Sequence, residues 1–316
     1  MDKKEFGKSL TLVILITLLF FSVYYAYDKN KFRFLQNKVD VDNNDIYSNN
    51  FIYSNQKNSN GIVTNIWFHD KEKLNLFKNN NIRYLFVDVG NIDSNGNLLT
   101  KNPEIREFID FIENYEEKNN YDFILLPYTE VILENYEFNE IFQDNLAQTY
   151  YYLSVSGFDG AHVDIEAIPI EKRDEYINFI ELLRGKMRNK IISVYPGLIS
   201  EDQNEWEWNL EFYHKVYEIV DLITIGSYDT GLKDNEYRTY IKDQINTINA
   251  NFEGKFMFIA PTHKEYPETI DNSLFIFKSN YKNSEKSAFI GIGMFAEWTT
   301  DEEEWKVFEK YQSEFS

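Results

Sequence analysis

From about residue 61 onward, the hydrophobic positions follow two different periods, which alternate along the chain. Short apolar runs rich in Ile, Val, Phe and Tyr have the length and composition of β-strands. The segments between them repeat their apolar residues every three or four positions, which is the helical period. Ile105, Phe108, Ile109 and Ile112, for example, share one face of a helix that would begin near Pro103. The pattern therefore predicts that strands and helices alternate through the C-terminal part of the chain.

This alternation gives eight strand–helix pairs, which predicts an α/β fold of the (β/α)8 or TIM-barrel type over residues 61–316. A doubly wound sheet is the alternative, but the chain lacks the Gly-rich phosphate loop typical of that fold. The predicted strands are 62–68, 84–89, 123–127, 157–165, 191–195, 222–228, 256–260 and 289–295. The predicted helices are 71–79, 103–117, 139–154, 171–188, 210–220, 236–251, 267–281 and 301–311.

The N-terminal part of the chain has a different pattern. Residues 10–27 carry no charge and follow three lysines, which predicts a signal anchor or transmembrane segment over residues 1–27. We favour an uncleaved anchor over a cleaved signal peptide, because no small-x-small cleavage site follows. The positive residues precede the span, so the C-terminal domain is expected outside a single-pass cell-membrane anchor, or secreted if the signal is cleaved. Residues 28–60 are polar and Asn-rich, and we interpret them as a spacer.

Composition narrows the possible functions. The chain has 52 acidic against 32 basic residues and a formal charge of −20, which argues against a nucleic-acid partner. It contains no Cys, so it has no disulfide, no thiolate metal site and no Cys nucleophile. Its 23 Tyr and 26 Phe provide ample material for a large core. Neither a cofactor nor a metal ion is indicated by these patterns.

The chemistry is concentrated in the fourth predicted strand. If 157–165 is a strand, Val163 and Ile165 lie on one face, and His162, Asp164 and Glu166 on the other. The two carboxylates would then lie ~7 Å apart, close enough to alter each other's proton affinity. Burying such groups is costly unless they line a cavity, and the strand has no Lys or Arg to pair with them. We therefore favour a catalytic pair over a buried ion pair.

Other polar and aromatic residues follow the ends of other predicted strands. Tyr195 ends the fifth strand, Tyr228 and Asp229 end the sixth, His263 follows the seventh, and Trp298 follows the eighth. Because barrel enzymes carry their chemistry at the C-terminal ends of the strands, these groups should share one rim. A simple strand-end turn is the alternative for Tyr228 and Asp229, and a core aromatic is the alternative for Trp298.

The segment 159–166, Asp-Gly-Ala-His-Val-Asp-Ile-Glu, resembles the fourth-strand motif Asp-Gly-x-Asp-x-Asp-x-Glu of family 18 glycoside hydrolases, the chitinases and endo-β-N-acetylglucosaminidases. Residues 84–98 are similar to the second strand and following turn of that family. Ile-Gly-Ser-Tyr-Asp at 225–229 is similar to its sixth-strand Met-x-Tyr-Asp, and 293–298 to its eighth-strand Met-x-Trp. The resemblance covers nearly all of residues 61–312.

The resemblance implies a substrate-assisted, retaining hydrolysis of β-linked N-acetylhexosamine glycans such as chitin, peptidoglycan or an exopolysaccharide. Glu166 would be the acid and base, Asp164 would hold the acetamido N–H, and Tyr228 would bind the acetamido oxygen. The substrate-binding residues implied are His162, Asp229, Trp298 and Tyr195. Asp159 is expected to order the turn before the strand rather than to contact the substrate.

Two departures from the motif leave alternatives open. His162 replaces the middle Asp: a neutral ring would hydrogen-bond Asp164, and a protonated one would keep Asp164 ionised. The third strand, 124–130, lacks the family's Ser-x-Gly-Gly. A glycan-binding barrel without catalysis is therefore the competing hypothesis. A metal-dependent hydrolase would use His162, Asp164 and Glu166, with His69 or His263 as a further ligand.

Overall fold

The structure is a computed structural model that describes residues 59–200, 204–281 and 287–315. The predicted anchor, 1–27, and residues 28–58 of the predicted spacer lie outside these ranges. Within the described ranges, no helix combines the length and the apolar character that crossing a membrane requires. The N-terminal anchor therefore stays a prediction.

The described residues form eleven strands, nine of which belong to one sheet and two to a small separate ribbon. The predicted strands at 191–195 and 289–295 have the predicted bounds, and the others differ by one to three residues at an end. The strands are β1 (Asn60–Asn65), β2 (Ile82–Asp88), β3 (Ile124–Tyr128), β4 (Glu130–Ile132), β5 (Gly160–Glu166), β6 (Ile191–Tyr195), β7 (Leu198–Ile199), β8 (Glu207–Trp208), β9 (Leu222–Gly226), β10 (Phe256–Pro261) and β11 (Phe289–Phe295).

The large sheet closes on itself. Its order is β3-β2-β1-β11-β10-β9-β6-β5-β4, and all neighbours pair in parallel. Only Thr129 separates β3 from β4, so the first and last strands of this order are one interrupted stretch of chain. The Asp159 N–H donates to the Leu125 carbonyl at 2.9 Å across the junction. The fold is therefore the predicted parallel barrel with alternating helices, with its third strand in two pieces.

The described residues contain eight α-helices, and each follows a strand of the barrel or its connecting loop. Side-chain caps set several of their starts, as Asp70 does for α1 by accepting from the Glu72 and Lys73 N–H groups. The predicted start of the seventh helix at residue 267 is wrong, because the Thr269 hydroxyl caps the helix at the Asn272 N–H. The helices are α1 (Lys71–Asn79), α2 (Asn102–Asn119), α3 (Glu140–Val155), α4 (Arg173–Lys186), α5 (Leu210–Ile219), α6 (Asp234–Asn251), α7 (Ile270–Asn280) and α8 (Glu302–Phe315).

The alternation of side chains across the strands divides the core into two layers. Outward-facing residues such as Val163 and Ile165 pack in the large layer between the sheet and the helices. Inward-facing residues such as Phe86 and Met257 fill the barrel interior. On β5 the face opposite Val163 and Ile165 points to the interior, and it carries the ionisable residues, as the alternation predicted. The fold therefore delivers those side chains to one enclosed space.

Candidate active site

A cavity of about 290 Å³ opens at the C-terminal ends of the barrel strands. All seven residues predicted as catalytic or substrate-binding line it, so they share one rim, where the strand-end rule predicts them. They arrive there from four different parts of the barrel. The predicted site residues in its wall are His162, Asp164, Glu166, Tyr195, Tyr228, Asp229 and Trp298.

Asp164 and Glu166 lie at the end of β5 with their carboxyl groups hydrogen-bonded to each other. Burial raises the pKa of Glu166 to about 7, and the nearby Glu130 carboxylate adds to this rise. Burial, together with the Glu166 charge, also raises the pKa of Asp164 well above its usual range. Among the described residues, the buried Oδ1 of Asp164 has no hydrogen-bond partner. The pair thus offers a carboxyl that exchanges protons near neutral pH and a buried acceptor without a donor.

His162 lies at the bottom of the cavity, only 6 % exposed. Its Nδ1 hydrogen-bonds the Ser193 hydroxyl at 2.9 Å, and its ring packs against Phe86 at 4.7 Å between centroids. Burial lowers the pKa of His162 to about 3, so the ring is neutral. The protonated alternative is therefore wrong. The neutral ring was the other alternative, but its Nδ1 partner is Ser193 rather than Asp164.

Two tyrosines form the wall beside β5, where Tyr195 on β6 is the register partner of Asp164. The rings of Tyr195 and Tyr228 stack with 6.2 Å between centroids, and their hydroxyls hydrogen-bond each other. Gly226 leaves the space they need, since a Cβ there would lie 2.6 Å from the Tyr195 hydroxyl. Phe295 stacks on the other side of Tyr228 at 5.1 Å, and Trp298 meets Phe295 edge-on. Trp298 is 47 % exposed at the cavity mouth, so the core-aromatic alternative is wrong.

The loop after β9 holds Asp229 in place through Glu268. Asp229 has a left-handed backbone (φ 57°), and its N–H donates to Glu268 Oε2 at 2.7 Å. The N–H and hydroxyl of Thr230 donate to the other oxygen of the same carboxylate. Asp229 is therefore both a turn residue and a wall residue, which combines the two sequence interpretations.

The metal alternative combined His162, Asp164 and Glu166, but His162 Nδ1 is engaged by Ser193. A different group has suitable spacing among the described residues: ligand atoms of Asp229, His263 and Glu268 lie within 4.8 Å of one another. The Glu268 carboxylate in this group already accepts three hydrogen bonds from the Asp229–Thr230 loop. Its contacts therefore account for it as the anchor of that loop.

The sequence interpretation missed two carboxylates in the wall. Asp88 ends β2, where its side chain accepts from the Gly90 N–H at 2.8 Å. Glu130 begins β4 and is the register partner of Asp164 on β5. The strand-end rule could have found both, had it been applied to the second and third strands as it was to the others.

Asp159, before β5, and two tryptophans after β6 lie outside the cavity wall. Asp159 accepts from the Leu125 N–H at 2.8 Å, so it orders the turn before β5 as expected. Trp208, on β8, is buried and packs on Phe212 at 4.5 Å between centroids. Trp206 is 49 % exposed and lies outside the cavity wall.

No family model and no curated protein matches this sequence. Solved structures do match its fold. A class V chitinase from Pseudomonas fluorescens Pf-5 has a TM-score of 0.56 at 11% identity, covering 80% of this chain and 99% of its own. The spore cortex-lytic enzyme SleL of Bacillus cereus has a TM-score of 0.53 at 12% identity, covering 79% of this chain and 74% of its own. A glycoside hydrolase family 18 N-acetylglucosaminidase from Paenibacillus barengoltzii has a TM-score of 0.50 at 10% identity, covering 80% and 99%.

These identities are far too low to transfer an activity, so the likeness concerns the barrel itself. The chain shares the barrel fold of family 18 chitinases and related enzymes, which confirms at the level of fold the resemblance predicted from its fourth strand.

Proposed function

We propose that this chain is a glycoside hydrolase that cleaves β-linked N-acetylhexosamine glycans, such as chitin, peptidoglycan or an exopolysaccharide. The observation that carries the proposal is the hydrogen-bonded Asp164–Glu166 pair in a barrel cavity, with the pKa of Glu166 raised to about 7. A carboxyl that titrates near neutrality can both give and take a proton. The likeness to family 18 structures supports the same class of substrate.

In the first step, protonated Glu166 donates its proton to the leaving glycosidic oxygen as the bond from that oxygen to the anomeric carbon breaks. The acetamido oxygen of the sugar that carries this anomeric carbon forms a new bond to the carbon, which gives a cyclic cation. Water then attacks this carbon, the bond between the carbon and the acetamido oxygen breaks, and the Glu166 carboxylate takes the proton of the water. Glu166 returns to its starting form, and the sugar keeps its original configuration.

Asp164 supports this step in two ways. Its buried Oδ1, which has no partner among the described residues, is an acceptor for the acetamido N–H. Its other oxygen carries the proton shared with Glu166, so it can donate to Glu166 once that group becomes a carboxylate. Asp164 thus aligns the internal nucleophile and stabilises the charge left on the acid.

The remaining wall residues position the sugar. Tyr228 hydrogen-bonds Tyr195 in the free protein. In this proposal its hydroxyl turns toward the acetamido oxygen when the sugar enters. The exposed face of Trp298 offers an apolar platform for the CH-rich face of a sugar ring. Asp229 and the neutral ring of His162 also line the wall around the sugar.

One observation favours a second candidate function, a barrel that binds glycans without cleaving them. The middle carboxylate of the motif is absent, and the neutral His162 that replaces it is bound to Ser193. A pocket that retained only its binding surfaces would still accept the sugar. This candidate and the hydrolase differ in one measurable property, turnover.

The test is hydrolysis of N-acetylated chito-oligosaccharides and of peptidoglycan strands by the full chain, beside Glu166→Gln and Glu137→Gln. Glu137 is an exposed carboxylate outside the cavity wall, so its variant controls for the loss of a charge. We expect wild-type turnover for Glu137→Gln and a loss of about 10²- to 10⁴-fold for Glu166→Gln. Binding without turnover by the wild-type protein would assign the second candidate. Equal activity of Glu166→Gln and wild type would refute the proposed mechanism.

We also propose that residues 1–27 anchor the enzyme in the cell membrane with the barrel on the outer face. The support is the uncharged segment 10–27 after three lysines. The anchored protein should stay in the membrane fraction after alkaline carbonate washing, and protease added to intact cells should degrade the barrel. Release into the medium with a new N-terminus near residue 28 would show instead that the segment is a cleaved signal peptide.

A further inference from the structure

The cavity wall has an unbalanced charge. Five of its residues are carboxylic acids, and none of its lining residues is Lys or Arg. Its single histidine, His162, is neutral because burial lowers its pKa. The neighbouring charges that act on Asp164 and Glu166 are carboxylates as well. The carboxylic acids are Asp88, Glu130, Asp164, Glu166 and Asp229.

The hydrolytic mechanism accounts for Asp164 and Glu166, and the loop after β9 accounts for Asp229, but Glu130 has no such role. The interruption of the third strand at Thr129 sets β4 against β5, with Glu130 in register with Asp164. Glu130 is exposed to the cavity, and within the described ranges no ion pair or side-chain hydrogen bond of its carboxylate is found. The Glu130 carboxylate is therefore available to a ligand.

Asp88 lies on the other side of the same interruption. It ends β2, whose neighbour β3 has Tyr128 as the register partner of Asp88. Its negative charge raises the pKa of Asp164, as does that of Glu130. The two acids thus stand on either side of the β3–β4 break and act on the same catalytic carboxyl.

Like charges held together in a cavity repel one another, and each one disfavours the ionised form of its neighbours. A cation placed among them relieves this repulsion, whereas an anionic group would increase it. Nothing in the cavity wall supplies that cation, so a ligand must bring it. In a cavity that takes amino sugars, the matching group is a free amine, which is positively charged when the acetyl group is absent.

We propose that Glu130 and Asp88 select a positively charged, de-N-acetylated hexosamine next to the unit being cleaved, so that the preferred glycan is a partly de-N-acetylated one. This inference rests on the proposed function, since the unit at Glu166 keeps the acetyl group that takes part in the reaction. The charged amine belongs to the neighbouring unit, which lies against the acidic wall. Glycans with carboxylate substituents at that position are excluded by the same charges.

The test compares two chito-oligosaccharides of equal length, one fully N-acetylated and one partly de-N-acetylated, with the full chain. The variants are Glu130→Gln and the control Glu134→Gln, an exposed carboxylate in the same segment but outside the cavity wall. For wild type and Glu134→Gln, we expect kcat/KM to favour the partly de-N-acetylated oligomer about threefold to tenfold. This is the size expected when one amine forms partly exposed charge pairs with Glu130 and Asp88. Glu130→Gln should reduce this ratio at least about threefold, and added salt should reduce it in the wild type.

A ratio that is the same in Glu130→Gln and Glu134→Gln, or that salt does not change, would overturn the inference while leaving the hydrolase intact. If the wild-type protein cleaves neither oligomer, the proposed function fails instead. Calorimetric binding of the same two oligomers then tests the charge preference on its own. If Mg²⁺ or Ca²⁺ at constant ionic strength binds the wild type and not Glu130→Gln, the acidic wall is a cation site, and the sugar assignment is wrong.

Discussion

Replacing Gly226 by alanine should disturb the tyrosine wall of the cavity without touching either catalytic carboxyl. A Cβ at this position would lie 2.6 Å from the Tyr195 hydroxyl and 3.0 Å from two atoms of the Tyr228 ring. Ordinary contact begins near 3.4 Å, so the Tyr195 hydroxyl must move by about 0.8 Å (3.4 minus 2.6) and the Tyr228 ring by about 0.4 Å (3.4 minus 3.0). Because the two hydroxyls hydrogen-bond each other, they cannot move independently.

The expected magnitudes follow from overpacking and misplacement. Forcing one extra carbon into a packed wall costs about 2 kcal/mol, which lowers Tm by about 4–8 °C. A displacement approaching 1 Å at a residue that binds the reacting acetamide should reduce kcat by about 10²-fold. The assays are thermal unfolding and hydrolysis of N-acetylated chito-oligosaccharides at saturation.

Gly185→Ala is the matched control, since Gly185 lies in α4 and a Cβ there meets nothing within 4 Å. It should keep full activity and be slightly more stable, because alanine favours helix over glycine. Adding Tyr195→Phe to Gly226→Ala removes the atom in closest conflict and should recover part of the lost stability. If Gly226→Ala matches Gly185→Ala in both Tm and kcat, the tyrosine wall does not depend on this glycine and the reasoning fails.

Three further predictions concern titration and buried contacts. With the pKa of Glu166 at about 7, kcat/KM should fall about tenfold per pH unit above pH 7, because the general acid must be protonated. A pH profile that stays flat to pH 9 would exclude Glu166 as the general acid. Ser193→Ala removes the Nδ1 partner of buried His162 and should cost about 1–3 kcal/mol in urea unfolding; an unchanged midpoint would contradict this. Burial raises the pKa of Glu116 from 4.5 to about 7, so its contribution to stability is present below pH 4.5 and lost as pH rises through 7. Glu116→Gln can still accept from the Phe123 N–H. The variant should therefore be about 1–2 kcal/mol more stable than wild type at pH 8, a value reduced to allow for the partial exposure of the Glu116 side chain. At pH 4 the variant should be no more stable than wild type.

The barrel was predictable from the sequence because each element carries its own local signal. The period of apolar residues distinguishes strands from helices, and capping residues such as Asp70 and Asn139 stand where helices begin. Among the strand predictions that extended too far, two did so for reasons that were not local. The sixth predicted strand stops at Gly226, before the left-handed Asp229 turn that Glu268 holds from a distant loop. The fourth begins only at Gly160, because Asp159 is tied to Leu125 on β3.

The sequence predicted which residues line the site better than it predicted the contacts between them. Alternation on β5 assigned His162, Asp164 and Glu166 to one face, and the strand-end rule brought Tyr195, Tyr228, Asp229 and Trp298 to the same rim. The partner of His162 could not be predicted, because Ser193 is on the next strand of the sheet and only the β5–β6 register places the two side by side.

The sequence by itself determined the class of fold, the rim and the two carboxyls that are two residues apart, since these depend on periods of two and 3.6 residues along one chain. The tertiary structure alone decided the protonation of those carboxyls and the charge of the cavity. Burial and neighbouring charges set a pKa, and both are properties of the assembled wall rather than of any segment. Glu130 illustrates the difference: in the sequence it is one acidic residue among 52, and in the barrel it stands beside the catalytic pair because the third strand breaks at Thr129.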